Sequence, residues 1–305
     1  MQQTTANILM IRPVNFTYNK ETAINNAFQV TGMTLGVQEN ALKEFNDFVL
    51  VLQNEGLDIT VVNDTPEPYT PDAIFPNNWI SFHEDGTVVL YPMFALNRRQ
   101  ERKPAILKTL SEKFNIKEII DFSGKEKDNR FLEGTGSMVL DRANRIAYAG
   151  LSPRTESGLF LEFCRVMQYE PVMFNAVDEQ GNSIYHTNVM MCIADQYMII
   201  CLDSIPEKKE RQNLLNAANK TGKVVIDIDF SQMNHFAGNM LQVNNKKGDR
   251  LLVMSSQAYG SLTHKQVEQL NSYNRIIYAP LSAIENNGGG SARCMMAEIY
   301  LPALE

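Results

Sequence analysis

The chain has 305 residues, 44% of them hydrophobic and 21% charged, ample for a sizeable core built as one large domain or two small ones. Its net charge of −7 argues against a surface for nucleic acid or anionic membrane. Four cysteines without clustered spacing give neither a zinc signature nor a disulfide framework, so a cytoplasmic protein is expected. No run of about 18 apolar residues is present to span a membrane, and residues 1–7 are polar, without the apolar stretch of a signal peptide.

Strands and helices alternate along the chain. Residues 8–11 read as a buried strand. Residues 40–55 place Leu42, Phe45, Phe48, Val49 and Leu52 at helical spacing, and Gly56 stops the helix. Strands follow at 59–62 and 88–91, the second after a hairpin turn at His83-Glu84-Asp85-Gly86. A helix over 101–114 turns Ile106, Leu107, Leu110 and Phe114 inward. Strands are predicted at 119–120 and 139–140, with a hairpin arm at 145–149, and the polar stretch 124–130 is a solvated loop. Next come a helix over 155–167, a strand at 172–174 and a hairpin of 189–193 with 198–202 about Ala194-Asp195-Gln196. A charged helix over 206–221 precedes a strand at 224–228, a hairpin of 240–243 with 251–254, a helix over 262–273 and a strand at 276–279. The chain ends in an apolar strand over 295–301. This strand, hairpin and helix pattern recurs about every 50–60 residues without sequence identity between units, a period that calls for a propeller or array. No linker or low-complexity tract divides the chain.

One cysteine differs from the others. Cys294 follows Gly288-Gly289-Gly290, and three consecutive glycines favour a loop that lays its backbone against something else. A thiol between such a loop and a strand, with Arg293 beside it, is expected to have access and a nearby positive charge, conditions that favour thiolate. Cys294 therefore reads as a nucleophile, whereas Cys164, Cys192 and Cys201 lie in apolar runs and read as small buried hydrophobes. A nucleophilic thiol needs an acid or base partner. Of the four histidines, His83 lies in a turn, His264 on a polar helix, and capping or core packing accounts for His235. His186 stands where a loop enters the strand at 189–193, a place where catalytic side chains are commonly presented. A lone histidine there is more often structural, so its claim rests on Cys294. Glu133 lies between an apolar pair and Gly134-Thr135-Gly136, as a turn residue or the first residue of a site. Residues 71–79 hold Asp72, two adjacent amides at Asn77 and Asn78, and the only tryptophan, Trp79.

Together these motifs resemble the guanidine-modifying (pentein) superfamily, which holds arginine deiminases, amidinotransferases and dimethylarginine hydrolases. Leu132-Glu133-Gly134 resembles its Glu-Gly motif, His186 its general acid/base, and Gly288 through Cys294-Met295 its nucleophile loop, in the same order along the chain. Arg12-Pro13, Phe75-Pro76-Asn77-Asn78-Trp79, Tyr91-Pro92-Met93 and Asn97-Arg98-Arg99 are most similar to the citrulline-utilisation hydrolases, an amidinotransferase-like branch. The resemblance implies an α/β-propeller of five ββαβ units around a pseudo-fivefold axis, a single catalytic domain over residues 1–305 with the site at its centre, and no metal or organic cofactor. It implies a small amino-acid substrate, neither nucleic acid nor membrane as partner, and leaves homo-oligomerisation open. The catalytic residues carried over are Cys294, His186 and Glu133. Asp72, Asn78 and Asn188 would surround the substrate head. Arg154, in Ser152-Pro153-Arg154-Thr155, would grip the carboxylate, with Arg98 and Arg99 as further candidates.

Arginine deiminases present Phe-x-Arg-Asp and His-x-Asp where this chain has Asn78 and Asn188. A carboxylate only accepts hydrogen bonds, whereas an amide donates and accepts. Paired asparagines therefore suit a neutral ureido group better than a guanidinium. The expected activity is cysteine-dependent hydrolysis of citrulline to ornithine, carbon dioxide and ammonia. The alternatives are an amidinotransferase, an arginine deiminase or dihydrolase using the same site, and a non-enzymatic binding module on the same fold.

Overall fold

In the computed structural model, which describes residues 2–29 and 36–304, the described strands form five three-stranded sheets of one design. Met1, at the head of the polar N-terminal segment, lies outside the described residues. The first strand of each sheet pairs antiparallel with the second, and the second pairs parallel with the third. A hairpin suffices for the antiparallel step, but the parallel step needs a long crossover, here a helix on the outside.

The unit-forming strands are β1 (Asn7–Arg12), β2 (Asp58–Asn63), β3 (Ile80–Phe82), β4 (Thr87–Leu90), β5 (Glu118–Asp121), β6 (Val139–Asp141), β7 (Ile146–Leu151) and β8 (Glu170–Asn175). They continue as β9 (Met191–Ile193), β10 (Tyr197–Ile200), β11 (Val224–Asp227), β12 (Leu241–Asn244), β13 (Arg250–Ser255), β14 (Arg275–Ala279) and β15 (Ala297–Glu298). Four sheets are consecutive in sequence. The fifth joins the two ends of the chain: β15 pairs antiparallel with β1, matching Ile8 to Glu298 and Leu9 to Ala297, and β1 pairs parallel with β2. The ring of five ββαβ units around a pseudo-fivefold axis is thereby closed. The middle strands β7, β10 and β13 are covered on both faces, and this is why they read as continuous apolar runs rather than alternating ones.

The crossover helices are amphipathic and bury one stripe each. Val37–Asn54 buries Ala41, Phe45, Phe48, Val49 and Leu52. Pro104–Ser111 buries Ile106 and Leu110, Ser157–Met167 buries five side chains, and Lys208–Lys220 buries Leu214, Ala217 and Ala218. In the last unit the crossover is split into Ser256–Ser261 and His264–Asn271.

Several expected boundaries move, for local reasons. The helix expected from residue 101 begins at Pro104, whose fixed φ suits a first helical turn; residues Asn97–Glu101 before it form a separate 3-10 turn. The helix expected over 262–273 begins at His264 because Thr263 and Gln266 form a capping box. Val189 and Met190 belong to a helical turn, Thr187–Met190, so β9 is shorter than periodicity suggests. The apolar stretch 295–301 pairs as a strand only over β15. Residues expected as a solvated loop at 124–130 lie mostly in a 3-10 turn, Ser123–Asp128, none of them buried.

The helix Val37–Asn54 offers a paired test of this packing. Phe48 is fully buried and Leu50 is 56% exposed. Phe48→Ala is expected to cost about 3–5 kcal/mol of unfolding free energy. Leu50→Ala is expected to stay within about 0.5 kcal/mol of wild type. Urea titration of both variants measures the difference.

Candidate active site

In each unit a short turn leads from the outside of the ring to the first strand, and these turns meet on the axis. They are Pro76–Asn78 before β3, Gly134–Ser137 before β6, Thr187–Met190 before β9, the Phe236–Asn239 turn before β12, and the Ser291–Cys294 turn before β15. The turns bring Asn78, Glu133, His186, Asn188, Asn239 and Cys294 together, each no more than 3% exposed.

Glu133 and His186 form the tightest contact of the group. His186 Nε2 lies 2.7 Å from Glu133 Oε2. Glu133 Oε1 accepts the backbone N–H of Phe94 at 2.9 Å, and Arg154 Nη1 lies 3.5 Å from Oε2. Burial alone would raise the Glu133 carboxyl, but Arg154, the His186 hydrogen bond and Arg98 outweigh it and hold it at about 2. Burial lowers the imidazole of His186 to about 4 against the pull of Glu133, with Arg154 and Arg98 adding to the decrease. At neutral pH the pair is carboxylate and neutral imidazole. A carboxylate only accepts, so the imidazole proton sits on Nε2 and Nδ1 keeps a free lone pair.

Gly136 is what lets this ring sit where it does. A Cβ there would come within 2.5 Å of Asn78 Nδ2 and 2.8 Å of His186 Cε1 and Nδ1. The same measurement shows that the Asn78 amide and the free face of His186 converge on one spot.

Cys294 is 3% exposed, so the expected access is absent in this closed arrangement. Arg293 does not supply the expected charge. Its guanidinium turns away to Glu298 Oε2 at 2.8 Å and the Met296 carbonyl at 2.9 Å, because a buried arginine must be paired. Two amides take that place: Asn188 Nδ2 donates to Cys294 Sγ at 3.4 Å and Asn239 Nδ2 at 3.3 Å. The glycine loop packs on Phe75, where a Cβ at Gly288 would lie 2.7 Å from Phe75 Cζ. Tyr185 Oη donates to the Gly289 carbonyl at 2.6 Å and ties that loop to the His186 segment.

The pocket in front of the sulfur is lined by Asp72, Asn78, Arg98, Arg154, His186 and Cys294 among others, with Thr22 and Asn26 of the N-terminal segment also at its wall. Its free space is about 10 Å³, the room of one water. Asp72 Oδ2 accepts from Asn19 at 2.7 Å and Thr22 at 3.1 Å, while Asp72 Oδ1 has no partner. Burial pushes the Asp72 carboxyl up, against Arg98 and the two donors. Asn188 Oδ1 is likewise buried without a partner. Asn78 Oδ1 accepts from Arg98 at 2.7 Å, and one N–H of its Nδ2 goes to Asn77 Oδ1 at 3.0 Å.

The three arginines separate. Arg154 is buried, with Nε donating to Asn25 Oδ1 at 2.9 Å, Nη2 donating to the same oxygen, and Nη2 also to the Thr22 carbonyl at 2.8 Å. Arg98 lines the pocket but its fork is occupied by Glu101, at 2.8 and 3.0 Å. Arg99 does not line the pocket; it donates to the carbonyls of Met93 and Phe94. Sequence reasoning missed Asn239 and Glu101. The turn Phe236-Ala237-Gly238-Asn239 carries the same glycine-and-polar signature as the other turns, a signal that went unused for Asn239.

Comparison with known proteins places the chain by family and by fold. The model of a family described as N,N dimethylarginine dimethylhydrolase, eukaryotic, matches residues 12–301. No curated protein sequence matches the chain. Among solved structures, ArgZ, an arginine dihydrolase from the ornithine-ammonia cycle in cyanobacteria, aligns at TM-score 0.76 and 19% identity, covering 98% of this chain. This chain spans 41% of full-length ArgZ but 99% of its substrate-bound N-terminal domain, again at TM-score 0.76. A dimethylarginine dimethylaminohydrolase adduct with 4-chloro-2-hydroxymethylpyridine aligns at TM-score 0.67 and 15% identity, over 97% of this chain and 100% of that one. The family match and the shared fold place the chain among the guanidine-modifying enzymes of the pentein superfamily. Within it, the chain belongs to the dimethylarginine dimethylhydrolase family.

Two tests address the site. Gly136→Ala is expected to leave the fold intact by circular dichroism while displacing Asn78 or His186, with a loss of activity on the order of 10²-fold. The second concerns pH. Both groups titrate below their unfolded values, so each contributes stability that is lost on acidification. For His186 the loss runs from its ordinary 6.5 down to about 4, and for Glu133 from 4.5 down to about 2. Replacing His186 by Asn is expected to remove about 3 kcal/mol of the pH-dependent loss in the upper window, read from urea midpoints across that range.

Proposed function

We propose that the protein is a cysteine-dependent hydrolase of linear C–N bonds that converts citrulline to ornithine, carbon dioxide and ammonia. The supporting observation is the set of free valences around the pocket. One donor on the pocket lining is open, the second N–H of Asn78 Nδ2, and one acceptor, Asp72 Oδ1; Asn188, whose Nδ2 reaches Cys294 Sγ, carries a further unpartnered oxygen. A ureido group matches this set, with one carbonyl oxygen to accept and N–H groups to donate. A guanidinium has no acceptor, so Asn78 would face an N–H with its own.

The chemistry follows from the tautomer of His186. Cys294 gives its proton to Nδ1 as the sulfur attacks the ureido carbon, forming a tetrahedral adduct. His186 passes that proton to the departing nitrogen. Water then adds to the carbamoyl thioester, yielding a proton to Nδ1, and the sulfur leaves and recovers it. The resulting carbamate loses carbon dioxide and releases the remaining nitrogen. Glu133 holds the imidazole in the one tautomer that can do this. The substrate carboxylate takes the place of Asn25 Oδ1 on the Arg154 fork, so admission of an amino acid requires the segment around Thr22–Asn26 to withdraw. Arg98 acts by fixing the Asn78 amide rather than by gripping substrate.

A second reading, arginine as substrate, is favoured by the free Asp72 carboxylate oxygen and by the ArgZ likeness. Hydrolysis of arginine by a dihydrolase also passes through a ureido group. The test compares citrulline and arginine at equal concentration, with products identified by mass and Cys294→Ala as the inactive control. Citrulline is expected to show a kcat/KM about tenfold or more above arginine, since a cation desolvated without full counter-charge is penalised. Faster consumption of arginine would overturn the ureido reading.

A further inference from the structure

We infer that Asn239 is a catalytic residue, an amide that touches the reacting sulfur of Cys294 and not the substrate. The inference rests on the reading of Cys294 as the nucleophile. Asn239 has zero exposure and does not line the substrate pocket. Its side chain is nevertheless fully committed. One N–H of Nδ2 goes to the Asn188 carbonyl at 2.9 Å and the other to Cys294 Sγ at 3.3 Å. Its Oδ1 accepts the backbone N–H of Arg293 at 3.1 Å. A single amide thus joins three of the five turns that meet on the axis.

The turn is shaped for this approach. A Cβ at Gly238 would lie 2.3 Å from the Val189 carbonyl oxygen and 2.7 Å from the Met190 carbonyl carbon, so only glycine lets the two turns lie together. The arrangement also divides labour between two similar groups. Asn188 donates to sulfur and keeps an unpartnered Oδ1, whereas Asn239 has no free polar atom. Negative charge develops on the sulfur as it gives up its proton and again when it leaves the thioester. An N–H directed at it stabilises those states and loses most of its effect once the C–S bond has formed, because a hydrogen bond to a charged acceptor is the stronger one. Removal of Asn239 should therefore change sulfur reactivity and kcat and leave substrate binding alone. The partners of Arg293 make the amide the more necessary, since that guanidinium is turned away from the sulfur.

The test uses iodoacetamide on the full chain, with alkylation of Cys294 followed by peptide mass, so it needs no knowledge of the substrate. Asn239→Asp keeps the shape and replaces the donor by an acceptor; Asn239→Ala takes its place if a buried aspartate prevents folding. Asn239→Ser keeps a donor and serves as the rescue. The alkylation rate at neutral pH is expected to fall about tenfold in Asn239→Asp or Asn239→Ala, with the serine variant closer to wild type. In turnover, kcat is expected to fall with KM within about twofold of wild type. Wild-type alkylation in the donor-less variant, or equal slowing in all variants with the fold intact, would overturn the proposal. Failure of the citrulline assay alone would leave the alkylation result standing, so the two readings fail separately.

Discussion

The 2.7 Å hydrogen bond between Glu133 and His186 is the contact on which the rest of the site depends. Both side chains are buried, so the two groups cannot share their charge with bulk solvent and must share it with neighbours. Arg154 and Arg98 keep the carboxylate ionised, and the ionised carboxylate fixes the imidazole proton on Nε2. Only that tautomer leaves Nδ1 open toward Asn78 and the pocket. Each arginine then needs partners of its own, because an unpaired buried ion costs several kcal/mol. Arg98 finds Glu101 and Asn78, and Arg154 finds Thr22 and Asn25. A chain of obligatory pairings runs from the imidazole outward to the segment of Thr22 and Asn25.

The fivefold design makes such a centre affordable. Each unit contributes one turn to the axis, and a turn carries its own backbone hydrogen bonds, so several polar side chains can be buried together without stranding the main chain. The crossover helices and double-covered strands supply the apolar burial that offsets the desolvation of those groups. The same division explains how relatives at 15–19% identity superpose at TM-scores of 0.67–0.76. The ring requires only apolar pattern and crossover length, and many sequences satisfy both.

Much of the ring was legible in the residues. Helical spacing of Phe45, Phe48, Val49 and Leu52 and the apolar runs of β7, β10 and β13 report burial directly, and burial is what the pattern encodes. Boundaries slipped where a polar cap or a proline decided the matter, as at Thr263 and Pro104, or where apolar residues sat in a buried turn, as at Val189 and Met190. Glu133, His186 and Cys294 could be singled out as types in suggestive places. Arg293 was misjudged because adjacency in sequence does not set side-chain direction, and Arg99 because a surface-like dipeptide hides which member is buried. Asn239 escaped notice because its partners lie 51 and 55 positions away.

By itself the sequence determined which segments are strands and helices, their alternation, and a short stock of reactive and polar residues at turns. These depend on local pattern and on side-chain chemistry, both of which are written one residue at a time. The tertiary structure alone decided which nitrogen of His186 is free, which amides hold the sulfur, which arginines line the pocket, and that β15 returns to pair with β1. Those outcomes depend on distances between residues far apart in the chain, set only when the ring closes and every buried charge must find a partner.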